Sequence, residues 1–206
     1  MVSDLLLTPI IQHIILAYTA LFVSIALGIP LAIIALYNRT LQKIVMTLAN
    51  LMQAVPTLAV VAIVVPLIGI GFWPAIVAII LRALLPIIKN TWIGLSSVDP
   101  ALVASAEGLG LSEWEIIRYV RLPNAYPAIF AGVKFAAILA NSVAILTAMI
   151  GSGGLGSLVF EGLAGVNMVK MLSGALPAIG IALFLDASFS WMERHLLPRF
   201  AQDGPE

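Results

Sequence analysis

Asp99-Pro100-Ala101-Leu102-Val103-Ala104-Ser105-Ala106-Glu107-Gly108-Leu109-Gly110-Leu111-Ser112-Glu113-Trp114-Glu115-Ile116-Ile117-Arg118-Tyr119-Val120-Arg121-Leu122-Pro123 is a polar island in a greasy chain. Two helix starts can be read in it. Asp99 suits an N-cap, and Pro100 fits the first helical position, where a missing N–H costs nothing. Gly108 and Gly110 supply a flexible stop. Ser112 followed by Glu115 is a capping box that opens a second helix, and Pro123 is expected to close it. A helix, a glycine turn and a second helix, set between long apolar runs, read as a docking surface. An ordinary connecting loop is the plainer alternative.

The surroundings are apolar enough to decide the class. Of 206 residues, 62% are hydrophobic and only 10% charged, with mean hydropathy +1.12, whereas a soluble domain is about a quarter charged. A chain of this length cannot hide so much apolar surface in one core, so lipid must solvate much of it. The formal net charge is zero, which gives no pull toward nucleic acid. There are no cysteines, so thiolate chemistry and zinc–cysteine sites are excluded. The two histidines, His13 and His195, lie at opposite ends and do not suggest a metal site. Met1 to Pro9 lacks a basic n-region and a small-residue cleavage site, so the first apolar run is expected to stay as a helix.

Five apolar runs follow one another: Ile10–Tyr37, Ile44–Ile70, Pro74–Ile88, Tyr126–Ile150 and Met171–Met192. The expectation is an all-α membrane protein of about five transmembrane helices, a single domain over 1–206 whose loop spans 99–123. Asn38-Arg39-Thr40 and Lys43 read as a short basic loop. Pro56 and Pro66 fall inside the second run, where membrane helices tolerate proline if neighbours satisfy the freed carbonyls. Ser157–Lys170 is too short and polar for a sixth crossing. Alternating five spans puts Arg39, Lys43, Lys89, Arg118, Arg121, Arg194 and Arg199 on one side and only Lys170 on the other. The positive-inside rule then sets the loop and C-terminus in the cytoplasm and the N-terminus outside.

Charges inside the spans are costly and tend to face the protein interior. Lys134 and Asp186 could pair across helices as a structural lock. Arg82, near the midplane, is either a pathway residue or an anchor between helices or subunits. A cation there would oppose a purely cationic solute more than a zwitterion, whose carboxylate could meet the guanidinium. Asn50, Gln53, Thr57, Asn141, Ser142 and Thr147 are polar positions in the second and fourth runs. They serve either interhelical hydrogen bonding or a polar lining for a small hydrophilic solute. The glycine-rich Gly151-Ser152-Gly153-Gly154-Leu155-Gly156 lacks the Lys-Ser/Thr of a phosphate loop and reads as a turn or re-entrant piece. No catalytic constellation is present.

The island resembles the EAA loop of ABC importer permeases: Glu-Ala-Ala, three residues, Gly, nine residues, an aliphatic residue, any residue, Leu-Pro. Ala104-Ser105-Ala106 stands at Glu-Ala-Ala, Gly110 at the glycine, Val120 at the aliphatic position and Leu122-Pro123 at the end. Ala104 replaces the family glutamate, and Glu107 follows one turn later. Gln53-Ala54-Val55-Pro56-Thr57-Leu58-Ala59, Pro66-Leu67-Ile68-Gly69-Ile70-Gly71-Phe72, Leu84-Leu85-Pro86-Ile87, Ser97-Val98-Asp99-Pro100-Ala101-Leu102 and Ile150–Gly156 are similar to the osmoprotectant subgroup for glycine betaine, carnitine and choline.

The resemblance implies a type I importer permease (MetI-like) fold and a transport subunit that is not itself an enzyme. It also implies several partners in a prokaryotic plasma membrane. These are an ABC ATPase dimer, which binds the ATP and Mg, a second permease subunit (the same chain or a paralogue) and an extracytoplasmic binding protein. This chain would hold no cofactor or metal. Methionine or another amino acid is the neighbouring solute class. A membrane enzyme would instead show acids or histidines clustered at one interface, and a passive channel would not need a capped loop with Leu-Pro at fixed spacing.

Overall fold

The computed structural model describes residues 2–196, which are almost entirely helical. In chain order the elements are α1 (Val2–Tyr37), α2 (Arg39–Ala54), α3 (Thr57–Ile68), α4 (Phe72–Ser96), α5 (Pro100–Gly108) and α6 (Glu113–Ile116). A π-helical turn, Ile117–Arg121, leads into α7 (Leu122–Leu146), and the 3₁₀ turn Thr147–Ile150 ends that helix. α8 (Leu155–Ala164) and α9 (Met168–Leu196) complete the fold. Arg199, counted above in the charge bias, lies outside the described residues.

Four segments are long and apolar enough to cross a membrane: Leu6–Tyr37, Phe72–Ser96, Glu113–Ile150 and Met168–His195. The fifth expected span is broken. α2 and α3 meet at a 107° bend around Val55 and Pro56. Pro56 cannot donate to Met52, and its ring crowds the preceding turn, so the helix is weakened at the point where it breaks. The expected basic loop at 38–43 is also absent. Asn38 alone separates α1 from α2, its side chain accepting from Leu41 N at 2.9 Å, and Arg39 and Lys43 are helical. α8 has only 10 residues, about 15 Å of helix, and does not span.

Pro123 opens a helix instead of closing one. The chain passes from α6 through the π-turn, where Leu122 N donates to Ile117 O, and Pro123 lies in the first turn of α7. There its missing N–H leaves no helical gap.

The core is where α1, α4 and α7 meet. Leu16, Ala20 and Leu21 of α1 pack with Ile76, Ile79, Ala83 and Ile87 of α4 and Ala136, Ala140 and Val143 of α7. Alanine recurs because apolar side chains gain little from leaving lipid, so helices associate by close backbone approach. Gly132 shows how close: a Cβ there would lie 2.7 Å from Asn90 Cβ and 2.9 Å from Pro86 O. The second cluster, Leu95, Ala125 and Ile129 with Ile29, Ile33, Leu36 and Leu122 against it, shows the helix directions. The C-terminal ends of α1 and α4 meet the N-terminal end of α7, so α1 and α4 are parallel and α7 runs against them. α9 is antiparallel to α7 and the least enclosed of the four long segments.

Candidate functional site: a capped loop and two polar patches

The loop at 99–123 is built from local hydrogen bonds. Asp99 Oδ1 accepts from Ala101 N (2.8 Å), which starts α5. At its end Leu111 N donates to Ala106 O (3.1 Å) and Gly110 N to Glu107 O (2.9 Å). This is a Schellman closure with Gly110 at C′. Gly110 has φ +83°, and nothing lies within 4 Å of where its Cβ would stand. The glycine is therefore required by the backbone and not by crowding. The capping box then opens α6: Glu115 Oε2 accepts from Ser112 N at 2.8 Å, and Ser112 Oγ accepts from Glu115 N at 3.4 Å.

Two contacts tie this loop to the bundle. Arg121 Nη1 donates to Leu95 O (2.8 Å) in the last turn of α4, where free carbonyls and the negative end of the helix dipole favour a cation. Leu122 packs on the Leu95–Ala125–Ile129 cluster. Ala106, Ile116 and Ile117 are buried inward. Ala104, Ser105, Glu107 and Pro123 are exposed, as are the apolar Leu102, Leu109, Trp114 and Tyr119. A rigid, bundle-anchored loop with an apolar outer face is suited to receiving another protein.

The polar span residues fall into two patches. Around the elbow, Arg82 Nη1 donates to Met52 O (2.7 Å) and Val55 O (3.0 Å). Asn50 and Gln53 are exposed on α2, and Thr57 is half-buried at the start of α3. Across the bundle, Asn141 is buried. Its Nδ2 donates to Ala178 O (3.3 Å), and its Oδ1 accepts from His13 Nε2 (3.1 Å). Ser142 is exposed and bonds only within its own helix, to Ile138 O (3.0 Å). Asn141 and Ser142 line a cavity of about 320 Å³ with Ile145, Val159 and Ala178, near the lower end of the ~300–1,000 Å³ typical of small-molecule sites. Thr147 is buried beside Ser152, whose Oγ donates to its Oγ1 at 3.0 Å. α2 packs on α1 and α4 while Asn141 and Ser142 face α8 and α9, so one chain presents two patches and not one continuous lining.

Lys134 Nζ lies 2.8 Å from Asp186 Oδ1 and donates to Ser190 Oγ at 2.8 Å, joining α7 to α9. Two interhelical ties fall outside the residues expected from the sequence: His13 on Asn141, and Gln12, whose Oε1 accepts from Gly154 N (3.0 Å) and ties α1 to the glycine-rich segment. A signal was available: Gln12-His13 is a polar pair near the start of an otherwise apolar run. Among the described residues no group of three or more acids or histidines could hold a metal ion.

Known proteins resemble this chain over most of its length. The model of the family described as "Binding-protein-dependent transport system inner membrane component" matches residues 24–202. The chain is 34% identical over 195 residues to the carnitine transport permease protein OpuCB of Listeria monocytogenes, covering 95% of this chain and 89% of that one. It is 37% identical over 191 residues to the osmoprotectant import permease protein OsmY of Salmonella typhimurium, covering 91% and 80%. A third relative, 34% identical over 191 residues and covering 93% and 88%, is the glycine betaine/carnitine/choline transport system permease protein OpuCB of Bacillus subtilis. Among solved structures, an inward-facing MetNI methionine ABC transporter aligns with TM-score 0.83 at 20% identity, covering 94% of this chain and 96% of that one. At that identity the likeness carries the fold alone. With the capped loop in place and relatives matched over most of their length, the chain belongs to the family of inner-membrane permease components of binding-protein-dependent transport systems.

Proposed function

We propose that this chain forms the membrane pathway of an ATP-driven importer of quaternary-ammonium osmoprotectants such as glycine betaine, carnitine and choline. The observation that carries the coupling role is the loop at 99–123, closed at both helix ends and tied to α4 through Arg121. The relatives named for carnitine, choline and osmoprotectants support the solute class. A second permease chain completes the pathway. Two ATPase subunits, which bind the ATP and Mg, receive the loops, and an extracytoplasmic binding protein delivers solute. The basic bias places the loop and the C-terminal end of α9 in the cytoplasm and the N-terminus outside.

The loop works as a lever in this reading. Closure of the ATPase dimer moves α5 and α6. Arg121 and Leu122 pass that displacement to α4, α7 and the end of α1, which share one packed cluster. Alternating access then needs rigid-body movement of helices and no chemistry in this chain. Uptake of radiolabelled glycine betaine into proteoliposomes holding the permease, ATPase and binding protein tests the solute class. Betaine uptake competed by carnitine and insensitive to methionine is expected. Methionine uptake without betaine uptake would move the chain to the amino-acid class.

A further inference from the structure

We infer that Arg82 is a positioning residue for transport: it caps the broken end of α2 and so holds the α2–α3 elbow bent. Pro56 lacks the N–H that Met52 O would accept in a continuous helix. Val55 leaves helical geometry (φ −73°, ψ 128°), and Ala59 N and Val60 N both donate to Pro56 O. Val55 O therefore loses its helical donor as well. Carbonyls without donors are expensive inside a membrane. One guanidinium nitrogen, Nη1 of Arg82, reaches both of these, at 2.7 and 3.0 Å.

The charge fits the place as well as the geometry. The C-terminal end of α2 carries partial negative charge, which a cation complements. Arg82 is also directed inward: its Nε is buried, without a hydrogen-bond partner among the described residues. Asn50, Gln53 and Thr57 ride on the two arms of the elbow, so the cap sets where these polar groups stand. Arg121 on Leu95 O repeats the device at the end of α4. Arg82 thus acts on transport through the elbow and not by meeting the solute, a conclusion that rests on the transport reading only for its functional half.

The chain has no cysteines, so single spin labels can be placed at will. Leu48→Cys on α2 and Leu67→Cys on α3, both exposed, report the bend by pulsed dipolar spectroscopy of the assembled transporter in nanodiscs. A straightened helix would set these two Cα atoms about 28 Å apart. The expected result is a narrow, shorter distance with Arg82, a longer and broader one in Arg82→Gln, and an intermediate one in Arg82→Lys. Pro56→Ala restores the donor to Met52, so Arg82→Gln should shift the distance less in that background. Uptake by Arg82→Gln should fall several-fold with the betaine-to-choline ratio unchanged. An unaltered distance in Arg82→Gln, or a tenfold change in that ratio with the elbow in place, would overturn the inference. If wild-type protein moves no quaternary amine, the distances still decide the cap, and only the proposed function falls.

Discussion

Gly110 shows how one residue sets the loop. Its positive φ closes α5, yet a Cβ would meet no neighbour. Gly110→Ala should therefore cost about 1 kcal/mol of loop stability from backbone strain alone. The expected outcome is ATPase-subunit binding weakened several-fold in a titration, with the thermal midpoint of the membrane bundle unchanged. Asn141 and Ser142 are sequence neighbours with opposite roles. Asn141→Ala strands His13 Nε2 inside the bundle and removes the tie to α9 at Ala178 O, and should destabilise by about 1–3 kcal/mol, read as a lowered midpoint in detergent. Ser142→Ala removes only a bond to its own helix and should leave that midpoint in place. The Lys134–Asp186 pair is a lock between α7 and α9. Lys134→Met or Asp186→Asn each leaves a lone charge, so each should lower the midpoint more than the double variant does. A double variant worse than either single one would reject the lock.

Among the elements, α4 and α7 depend on backbone contact. Gly132→Val would push against Asn90 and the Pro86 carbonyl. Overpacking of this kind costs about 1–3 kcal/mol and should appear as loss of folded protein on size exclusion, where Gly108→Ala, with open space around it, should not. The elements also divide by how far apart their causes lie in the chain. Asp99, Ser112 and Glu115 could be read directly, since each cap bonds a group two or three residues away. The elbow could not. Proline in a membrane helix is compatible with a kink or a full break, and the outcome here is stabilised by an arginine 27 and 30 residues away. The continuation through Pro123 was hidden for a similar reason. Proline stops a helix behind it but suits the first turn of one ahead, and the π-turn at Ile117–Arg121 decides between them. His13 and Asn141, 128 residues apart, meet only once α1 and α7 have packed.

For the whole molecule, composition was enough to place the chain in lipid, and the loop spacing was enough for its family. The arrangement of polar groups was not. The six polar candidates and Arg82 form one list in sequence, but the bundle sorts them: Arg82, Asn50, Gln53 and Thr57 to an elbow against α4, Asn141 and Ser142 to a cavity beside α8 and α9, and Thr147 to a buried bond with Ser152. In the proposed function, the loop at 99–123 couples an ATPase to solute delivery through this bundle. The most direct test is ATP hydrolysis by the reconstituted permease–ATPase complex with binding protein, with and without glycine betaine. Wild type is to be compared with Gly110→Pro, whose φ near −65° cannot close α5. The expected result is hydrolysis stimulated by betaine-loaded binding protein in wild type and lost in Gly110→Pro, with the variant still folded. Equal stimulation in both, or a folded wild-type chain that binds no ATPase, would contradict it and return the loop to a plain connection.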